Sequence, residues 1–219
     1  MKKRIVKRIV LPICALCILA AFGFGVAATR NQENPVFRWG QLESKHMEEA
    51  AYLQDDTPAI VAEHFTIYSD ELDFLTAKQE LIDPETAKSV ATDILVEKYS
   101  LYYQAQLAGV VVADEHISSV IEENIRTFSE VHSDDYDAFL DGIGMTNEEY
   151  WHSRADALKI TESIEAWQDM QYRAFVEANA ETLSPEELAV EWTEYYSNLK
   201  ANIIAQENAH TCGAEIASN

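Results

Sequence analysis

Three residue types are scarce in this sequence, and each shortage limits what the chain can be. Among 219 residues there are 3 cysteines, 7 glycines and 16 lysines and arginines. Cys14 and Cys17 lie in an apolar stretch near the N terminus, where they are expected to act as small hydrophobic residues. Because only Cys212 follows them, the rest of the chain cannot form an internal disulfide. It must be held together by a hydrophobic core, and an intermolecular disulfide through Cys212 stays open.

The shortage of basic residues is greatest beyond the N terminus. Five of the 16 lysines and arginines precede Thr29, which leaves 11 against all 38 acids and a formal charge of −27. Such a field repels both nucleic acids and anionic lipid headgroups. We therefore expect no nucleic-acid partner, and we expect most of the acids to lie on a solvated surface.

Short catalytic motifs are also missing from the sequence. It has no HExxH motif, no phosphate-binding glycine loop and no nucleophile elbow. We therefore expect no enzymatic activity, no cofactor and no metal, although stoichiometric iron or manganese in the purified protein would revive an enzyme hypothesis. Capping, tether and tail positions account for the Glu-x-x-His pairs, which have the spacing used in di-iron bundles. The pairs are Glu43/His46, Glu149/His152 and Glu207/His210. A small acidic cluster, Asp134, Asp135 and Asp137, is explained by a helix start rather than by calcium.

The N terminus has the pattern of an export signal. Ile9–Ala28 (IVLPICALCILAAFGFGVAA) is a stretch of 20 uncharged residues, about the length that a helix needs to cross a bilayer. Basic residues precede it, which keeps that end in the cytoplasm. We predict a signal anchor or signal peptide over residues 1–28. The protein is then a single-pass cell-membrane protein with its C-terminal domain outside, or a secreted protein after cleavage near Ala28.

The remaining residues predict an all-α domain between two polar segments. Residues 29–57 are interpreted as a polar tether with one short helix around Glu43–Leu53. Residues 58–207 form the helical domain, which begins with two short extended pieces, Ala59–Val61 and Phe65–Ile67, and residues 208–219 form a disordered tail. Start and stop signals divide the domain into helices. These signals are Asp83-Pro84, Gly109, Asp114, Ser133, Gly142 or Gly144, the Thr146–Glu149 capping box and Ser184-Pro185.

Two long helices complete the predicted domain. One runs from about Asn147 to Ala178. The other begins at Pro185 and has a single apolar face. That face consists of Leu188, Trp192, Tyr195, Leu199 and Ile203.

Three segments, in this order, resemble the N-terminal helical domain of the extracytoplasmic chaperone SurA and the foldase PrsA. They are Pro58–Leu72 (PAIVAEHFTIYSDEL), Ala105–Val120 (AQLAGVVVADEHISSV) and Phe139–Tyr150 (FLDGIGMTNEEY). The resemblance covers roughly Pro58–Phe175. Two departures are Glu63-His64, where the family has Asn-Gly, and Ala113, where it has a capping serine. The glycine-rich parvulin isomerase domain of such foldases does not fit in the residues that remain.

The resemblance implies a chaperone-like protein that binds unfolded or extended segments of exported polypeptides, without isomerase activity. An apolar groove would hold the client. Its candidate lining residues are Tyr99, Tyr102, Tyr103, Phe128, Tyr136, Phe139, Met145, Tyr150 and Trp151. At helical spacing such side chains more often belong to the core. In the neighbouring pairs Tyr102-Tyr103 and Tyr150-Trp151, we expect one member to be exposed or to lie in a second interface.

A second hypothesis places the same helical fold in a different class. The chain would be an adaptor or structural module that binds one dedicated partner in a cell-envelope complex. Client breadth separates the two, because a chaperone suppresses the aggregation of unrelated proteins and an adaptor does not. The oligomeric state stays open.

Overall fold

The computed structural model describes residues 34–52, 57–131 and 133–212. The predicted anchor, Ile9–Ala28, lies outside these described residues. Within the described ranges, no helix is both long enough and apolar enough to cross a bilayer.

The described chain is mainly α-helical, as predicted, and it carries one small sheet. Two strands of the sheet, Pro58–Val61 and Thr66–Tyr68, largely coincide with the predicted extended pieces. In chain order the elements are α1 (Pro35–Tyr52), β1 (Pro58–Val61), β2 (Thr66–Tyr68), α2 (Ser69–Glu80), α3 (Ala87–Leu107), α4 (Asp114–Glu130), α5 (Asp134–Ile143), α6 (Asn147–Ser153), α7 (Ala155–Asn179), α8 (Pro185–Gln206) and β3 (His210–Thr211).

The sheet is antiparallel and has the strand order β2-β1-β3. Ile60 of β1 and Ile67 of β2 are almost fully buried, and they share a core cluster with Leu72 of α2 and Leu95 of α3. Burying a side chain of this size contributes roughly 1.5–3 kcal/mol. This burial holds the two short strands against the helices.

The predicted disordered tail, residues 208–219, is wrong for its first residues. β3 pairs with β1, and the amide of Cys212 donates to the carbonyl oxygen of Ala59 at 2.8 Å. Ala209 packs against the core cluster beneath the sheet. A two-residue strand is formed by backbone hydrogen bonds, so the polar composition of this segment gave no warning of it.

α1 occupies most of the predicted tether, residues 29–57, and begins well before the short helix expected there. It crosses α5 at two glycines. A Cβ on Gly40 would collide with the carbonyl oxygen of Phe139, and a Cβ on Gly142 with that of Phe37. Only glycine permits backbones to approach this closely. α1 is therefore packed against the domain rather than being part of a free tether.

The predicted corner between α5 and α6 is confirmed. Gly144, with φ at 74°, ends α5 in the left-handed region. Thr146 and Glu149 form the capping box, in which the Thr146 amide donates to the Glu149 carboxylate at 2.8 Å. Ser133 caps α5 and Ser184 caps α8, both as predicted.

The predicted single helix from Asn147 to Ala178 is two helices, α6 and α7. They meet at Arg154, whose φ of −94° and ψ of 6° interrupt the helical path. At this break the Arg154 Nη1 lies 2.7 Å from Oε1 of Glu43 in α1. Because neither glycine nor proline occurs at this position, the sequence pattern did not indicate a helix break there.

Candidate functional site

Five of the predicted binding residues meet in one place, the inner aromatic cluster. Its members are Phe128, Tyr136, Phe139, Tyr150 and Trp151, and their neighbouring ring centroids lie 4.6–6.4 Å apart. Phe139 is only 4% exposed, and Tyr150 and Trp151 are each 6% exposed. These three side chains belong to the core. Their predicted place in an open groove is therefore corrected.

The burial of both neighbours on α6 follows from cover on two sides of this helix. Tyr150 packs edge-on against Phe139 of α5, with ring centroids 5.1 Å apart. Trp151 packs instead against Phe128 of α4, at 5.3 Å. Neighbouring residues point about 100° apart around a helix, so one pair can serve two interfaces. This is the second of the two arrangements expected for the pair.

A set of polar contacts ties the inner aromatic cluster to the framework. The Tyr136 hydroxyl donates to Oδ1 of Asn147 at 2.7 Å, and the Asn147 amide donates to the carbonyl oxygen of Ile125 at 2.9 Å. Burial raises the pKa of Tyr136. Met145 lies half-buried in the turn between α5 and α6. These contacts join α4, α5 and α6 and hold the three helices together.

The three predicted tyrosines of α3 pack on other elements. The Tyr99 hydroxyl donates to the carboxylate oxygens of Glu71 at 2.9 and 2.8 Å. Burial and the Glu71 charge raise the pKa of Tyr99. Tyr103 stacks on His64 with ring centroids 4.1 Å apart, and Tyr102 is half-buried. Neither member of the Tyr102-Tyr103 pair is fully exposed.

A second aromatic cluster, which was not predicted, lies between α7 and α8. This hairpin aromatic cluster consists of Tyr172, Phe175, Trp192, Tyr195 and Tyr196, with ring centroids 5.1–5.8 Å apart. None of the five is buried, and Tyr172 and Tyr195 are 41% and 44% exposed. The cluster offers an aromatic surface to solvent.

The hairpin aromatic cluster is exposed because other elements cover little of the C-terminal half of α7 and the N-terminal half of α8. Between Trp167 and Ile203, Leu188 alone is buried. The N-terminal half of α7 is joined to α4 by the ion pair between Lys159 and Asp114. The C-terminal half of α8 is joined to α3 by the ion pair between Lys200 and Glu97. Beyond those contacts, Tyr172 and Phe175 of α7 pack on Trp192 and Tyr195 of α8.

The α7–α8 hairpin is also strongly acidic. Residues 160–199 contain nine acids and one basic residue, Arg173, which pairs with Asp169 at 3.7 Å. Glu162, Glu165 and Asp169 recur at intervals of three and four residues, which places them on one face of α7. Burial raises the pKa of Glu165, and the charges of Glu162 and Asp169 raise it further.

Two glutamates, Glu43 and Glu207, are each only 1% exposed. Glu43 accepts hydrogen bonds from Lys78 Nζ and Arg154 Nη1, both at 2.7 Å. Burial alone would raise the pKa of Glu43, but attraction by the two cations outweighs it and lowers that pKa. Burial lowers the pKa of Lys78 against the pull of Glu43. This buried cluster joins α1, α2 and the α6–α7 break.

Glu207 closes the other end of the domain. Its carboxylate lies 3.2 Å from Nδ1 of His64, and its carbonyl oxygen accepts the amide of Glu63 at 2.8 Å. Both buried glutamates thus bind groups other than the histidines of their Glu-x-x-His pairs, while Glu149 caps α6. Among the described residues, no group of three or more His, Cys, Asp or Glu is placed to hold a metal.

An open cleft of about 460 Å³ lies between α3, α8 and β3. This volume falls in the range of about 300–1,000 Å³ that small-molecule sites occupy. Its polar lining includes Asp93, Asn208 and His210, all of which are exposed. A binding site for a small molecule needs polar groups that converge in a sheltered space, so this cleft supports no particular ligand.

The sequence did contain two signals for the hairpin aromatic cluster. The predicted apolar face of α8 includes Trp192 and Tyr195, but Tyr195 and Tyr196 are neighbours, and one narrow face cannot hold both. In addition, no lysine or arginine occurs between Arg173 and Lys200, although acids are frequent there. Such a long single-sign segment beside adjacent aromatics indicates a surface rather than a core.

Comparisons with protein-family models, curated proteins and solved structures find no match to this chain.

Proposed function

We propose that this chain is a membrane-tethered, chaperone-like protein without enzymatic activity. It holds unfolded or extended segments of exported polypeptides on the outer side of the cell membrane. The observation that carries the proposal is the hairpin aromatic cluster, in which five neighbouring aromatic side chains all retain contact with solvent. Clustered exposed apolar side chains mark interaction sites more often than ordinary surface.

Holding a client at this surface needs no reactive group. Apolar side chains of the client lose contact with water against the rings, which contributes about 25 cal/mol per Å² before the cost of association is subtracted. An open surface accepts apolar side chains of different shapes. This tolerance suits clients that share no sequence.

Two features of the sequence support the location and the class. Ile9–Ala28 has the composition of an export anchor, and the segments Pro58–Leu72, Ala105–Val120 and Phe139–Tyr150 resemble the chaperone domain of SurA and PrsA. The strong negative charge of the remainder favours solubility while apolar clients are bound.

Light scattering tests the proposal. The full chain is mixed with two unrelated, chemically unfolded proteins, and aggregation is followed after dilution of the denaturant. We expect suppression of both at near-stoichiometric ratios, and weaker suppression by the double variant Tyr172→Ala/Tyr195→Ala. Tyr68→Ala is the matched control, because Tyr68 is also 41% exposed but lies on β2. Aggregation of both clients despite the wild-type chain contradicts the proposal and favours the dedicated adaptor.

A further inference from the structure

We infer that the hairpin aromatic cluster selects polypeptide segments in which apolar side chains alternate with lysine or arginine. The inference rests on the proposed function and narrows its clients by charge. The selecting groups are the two most exposed rings of the cluster and the carboxylates beside them.

The first observation is where the carboxylates lie. On α7, Tyr172 follows Asp169 by three residues and Glu165 by seven, so all three share one helical face. On α8, Tyr195 follows Glu191 by four residues, which again makes them neighbours on one face. Each exposed ring therefore has an acid beside it on its own helix.

The second observation is how this chain uses its own lysines. Lys78 lies 4.8 Å from the ring centre of Trp39 and donates to Glu43 at 2.7 Å. Lys98 likewise lies 4.6 Å from the ring centre of Tyr99 and donates to Glu71 at 3.1 Å. In both places a ring face and a carboxylate hold one ammonium group together. The ring attracts the cation through its negative face, and the carboxylate forms the ion pair.

The third case lies at the hairpin aromatic cluster itself. Lys200 lies 5.9 Å from the ring centre of Tyr196, a member of the cluster, and donates to Glu97 at 2.6 Å. The inner end of the cluster, at Tyr196, thus binds a cation of the same chain, Lys200. Its outer end, at Tyr172 and Tyr195, has the same combination of rings and carboxylates.

The outer end has one cation of its own, and that cation is already engaged. Arg173 pairs with Asp169, while within the described part of the chain Glu165 and Glu191 have no ion-pair partner. Burial, and then repulsion by Glu162 and Asp169, disfavours the charge on Glu165 and raises its pKa. A lysine or arginine from a bound segment would offset that repulsion, so the outer end favours a cationic partner.

Three synthetic peptides of equal length serve as probes against the full chain. The first alternates Phe and Leu with Lys, the second replaces every Lys by Glu, and the third keeps Lys but replaces the apolar residues by Ser. Binding is followed by fluorescence anisotropy at low ionic strength. We expect the first peptide to bind about tenfold more tightly than either of the others, and we expect salt to reduce its lead over the Glu peptide.

Variants of the chain test which residues cause the preference for the Lys–apolar peptide. Glu165→Gln combined with Glu191→Gln is expected to remove most of the preference for Lys over Glu, whereas Glu122→Gln, an exposed acid on α4, keeps it. Tyr172→Ala combined with Tyr195→Ala is expected to weaken the Lys–apolar peptide about tenfold relative to Tyr68→Ala. Circular dichroism confirms that each variant is folded.

The outcomes separate this inference from the proposed function. Equal binding of the Lys and Glu peptides, or a preference that survives the double glutamine variant, overturns the inference but leaves a chaperone that is indifferent to charge. Failure of all three peptides to bind contradicts both the inference and the proposed function.

Discussion

The two aromatic clusters contain the same kinds of residues at similar helical spacing, yet three rings of the inner aromatic cluster are buried and none of the hairpin aromatic cluster is. In the inner aromatic cluster, Tyr150 and Trp151 are each 6% exposed, because α4, α5 and α6 meet around them. In the hairpin aromatic cluster, Tyr172 and Tyr195 are 41% and 44% exposed, because little covers the C-terminal half of α7 and the N-terminal half of α8. The difference shows that the number of covering elements, and not the residue pattern, separates core from surface.

The charged groups differ between the two regions in the same way. Near the inner aromatic cluster, the buried Glu43 is neutralised by Lys78 and Arg154, which lowers its pKa. In the hairpin, burial and the neighbouring acids raise the pKa of Glu165. In the first region the buried charge is balanced by cations of the same chain, whereas the second region carries an excess of negative charge.

The largest expected effect compares a tryptophan from each cluster. Trp151→Ala is expected to cost about 3–5 kcal/mol of unfolding free energy, because it leaves a cavity in a covered core. Trp192→Ala is expected to cost about half as much, because the Trp192 side chain is only half-buried. Urea unfolding of both variants measures the difference. Equal losses would mean that the hairpin is as well packed as the core.

The second prediction breaks the charge balance of the covered region. Glu43→Gln leaves Lys78 and Arg154 without their buried carboxylate, and we expect it to cost about 3 kcal/mol. The matched change in the hairpin, Glu165→Gln, removes a disfavoured charge and is expected to be neutral or stabilising. Thermal and urea unfolding measure both. A loss at Glu165 as large as that at Glu43 would contradict the distinction.

The third prediction concerns the crossing of α1 and α5 beside the inner aromatic cluster. Gly142→Ala forces a Cβ against the Phe37 carbonyl oxygen and is expected to cost about 1–3 kcal/mol, the range for overpacking. Gly109→Ala is the control, because φ there is +68° but no atom lies within 4 Å of the added Cβ. Its cost is expected to be about 1 kcal/mol of backbone strain. A Gly142→Ala variant more stable than Gly109→Ala would argue against the tight crossing.

The smallest expected effect is in the response to acid. The folded pKa of Glu43 is lowered, so its contribution is present above the ordinary value of 4.5 and is lost as the pH falls through the folded value. The folded pKa of Glu165 is raised, so protonating it as the pH falls relieves a cost of folding.

Melting temperatures measured from about pH 6 down to about pH 3 separate these two terms. Glu43→Gln should weaken the loss of stability at the acid end of this range. Glu165→Gln should instead remove a gain that appears first, as the pH falls through the raised pKa of Glu165. Identical profiles for the two variants would contradict the opposite signs.

Local signals in the sequence predicted several helix ends well, but Asp83-Pro84 predicted the start of α3 too early, because this helix begins at Ala87. Thr146 and Ser184 form capping boxes, and Gly144 adopts the left-handed conformation that ends α5, because each of these interactions is made within a few residues of the chain. The features that were missed depend on distant partners. The helix break at Arg154 occurs where this side chain donates a hydrogen bond to Glu43. β3, near the end of the domain, pairs with β1, which lies near its start.

The candidate site was harder to predict for the same reason. Helical spacing identified Tyr150 and Trp151 as apolar surface of α6, but it could not show that α4 and α5 cover both sides. It likewise identified Trp192 and Tyr195 as one face of α8, but it could not show that α7 is the main cover they have. Exposure is set by which helices meet, and the spacing of residues within one helix does not show this.

The most direct test of the account is hydrogen exchange of the full chain, measured with and without the Lys–apolar peptide. The account predicts that the peptide slows amide exchange in residues 168–198, while residues 134–153 exchange slowly and unchanged in both samples. Contradiction would come from protection that changes in residues 134–153 and stays constant in the hairpin. That result would mean that the inner aromatic cluster opens to hold the client.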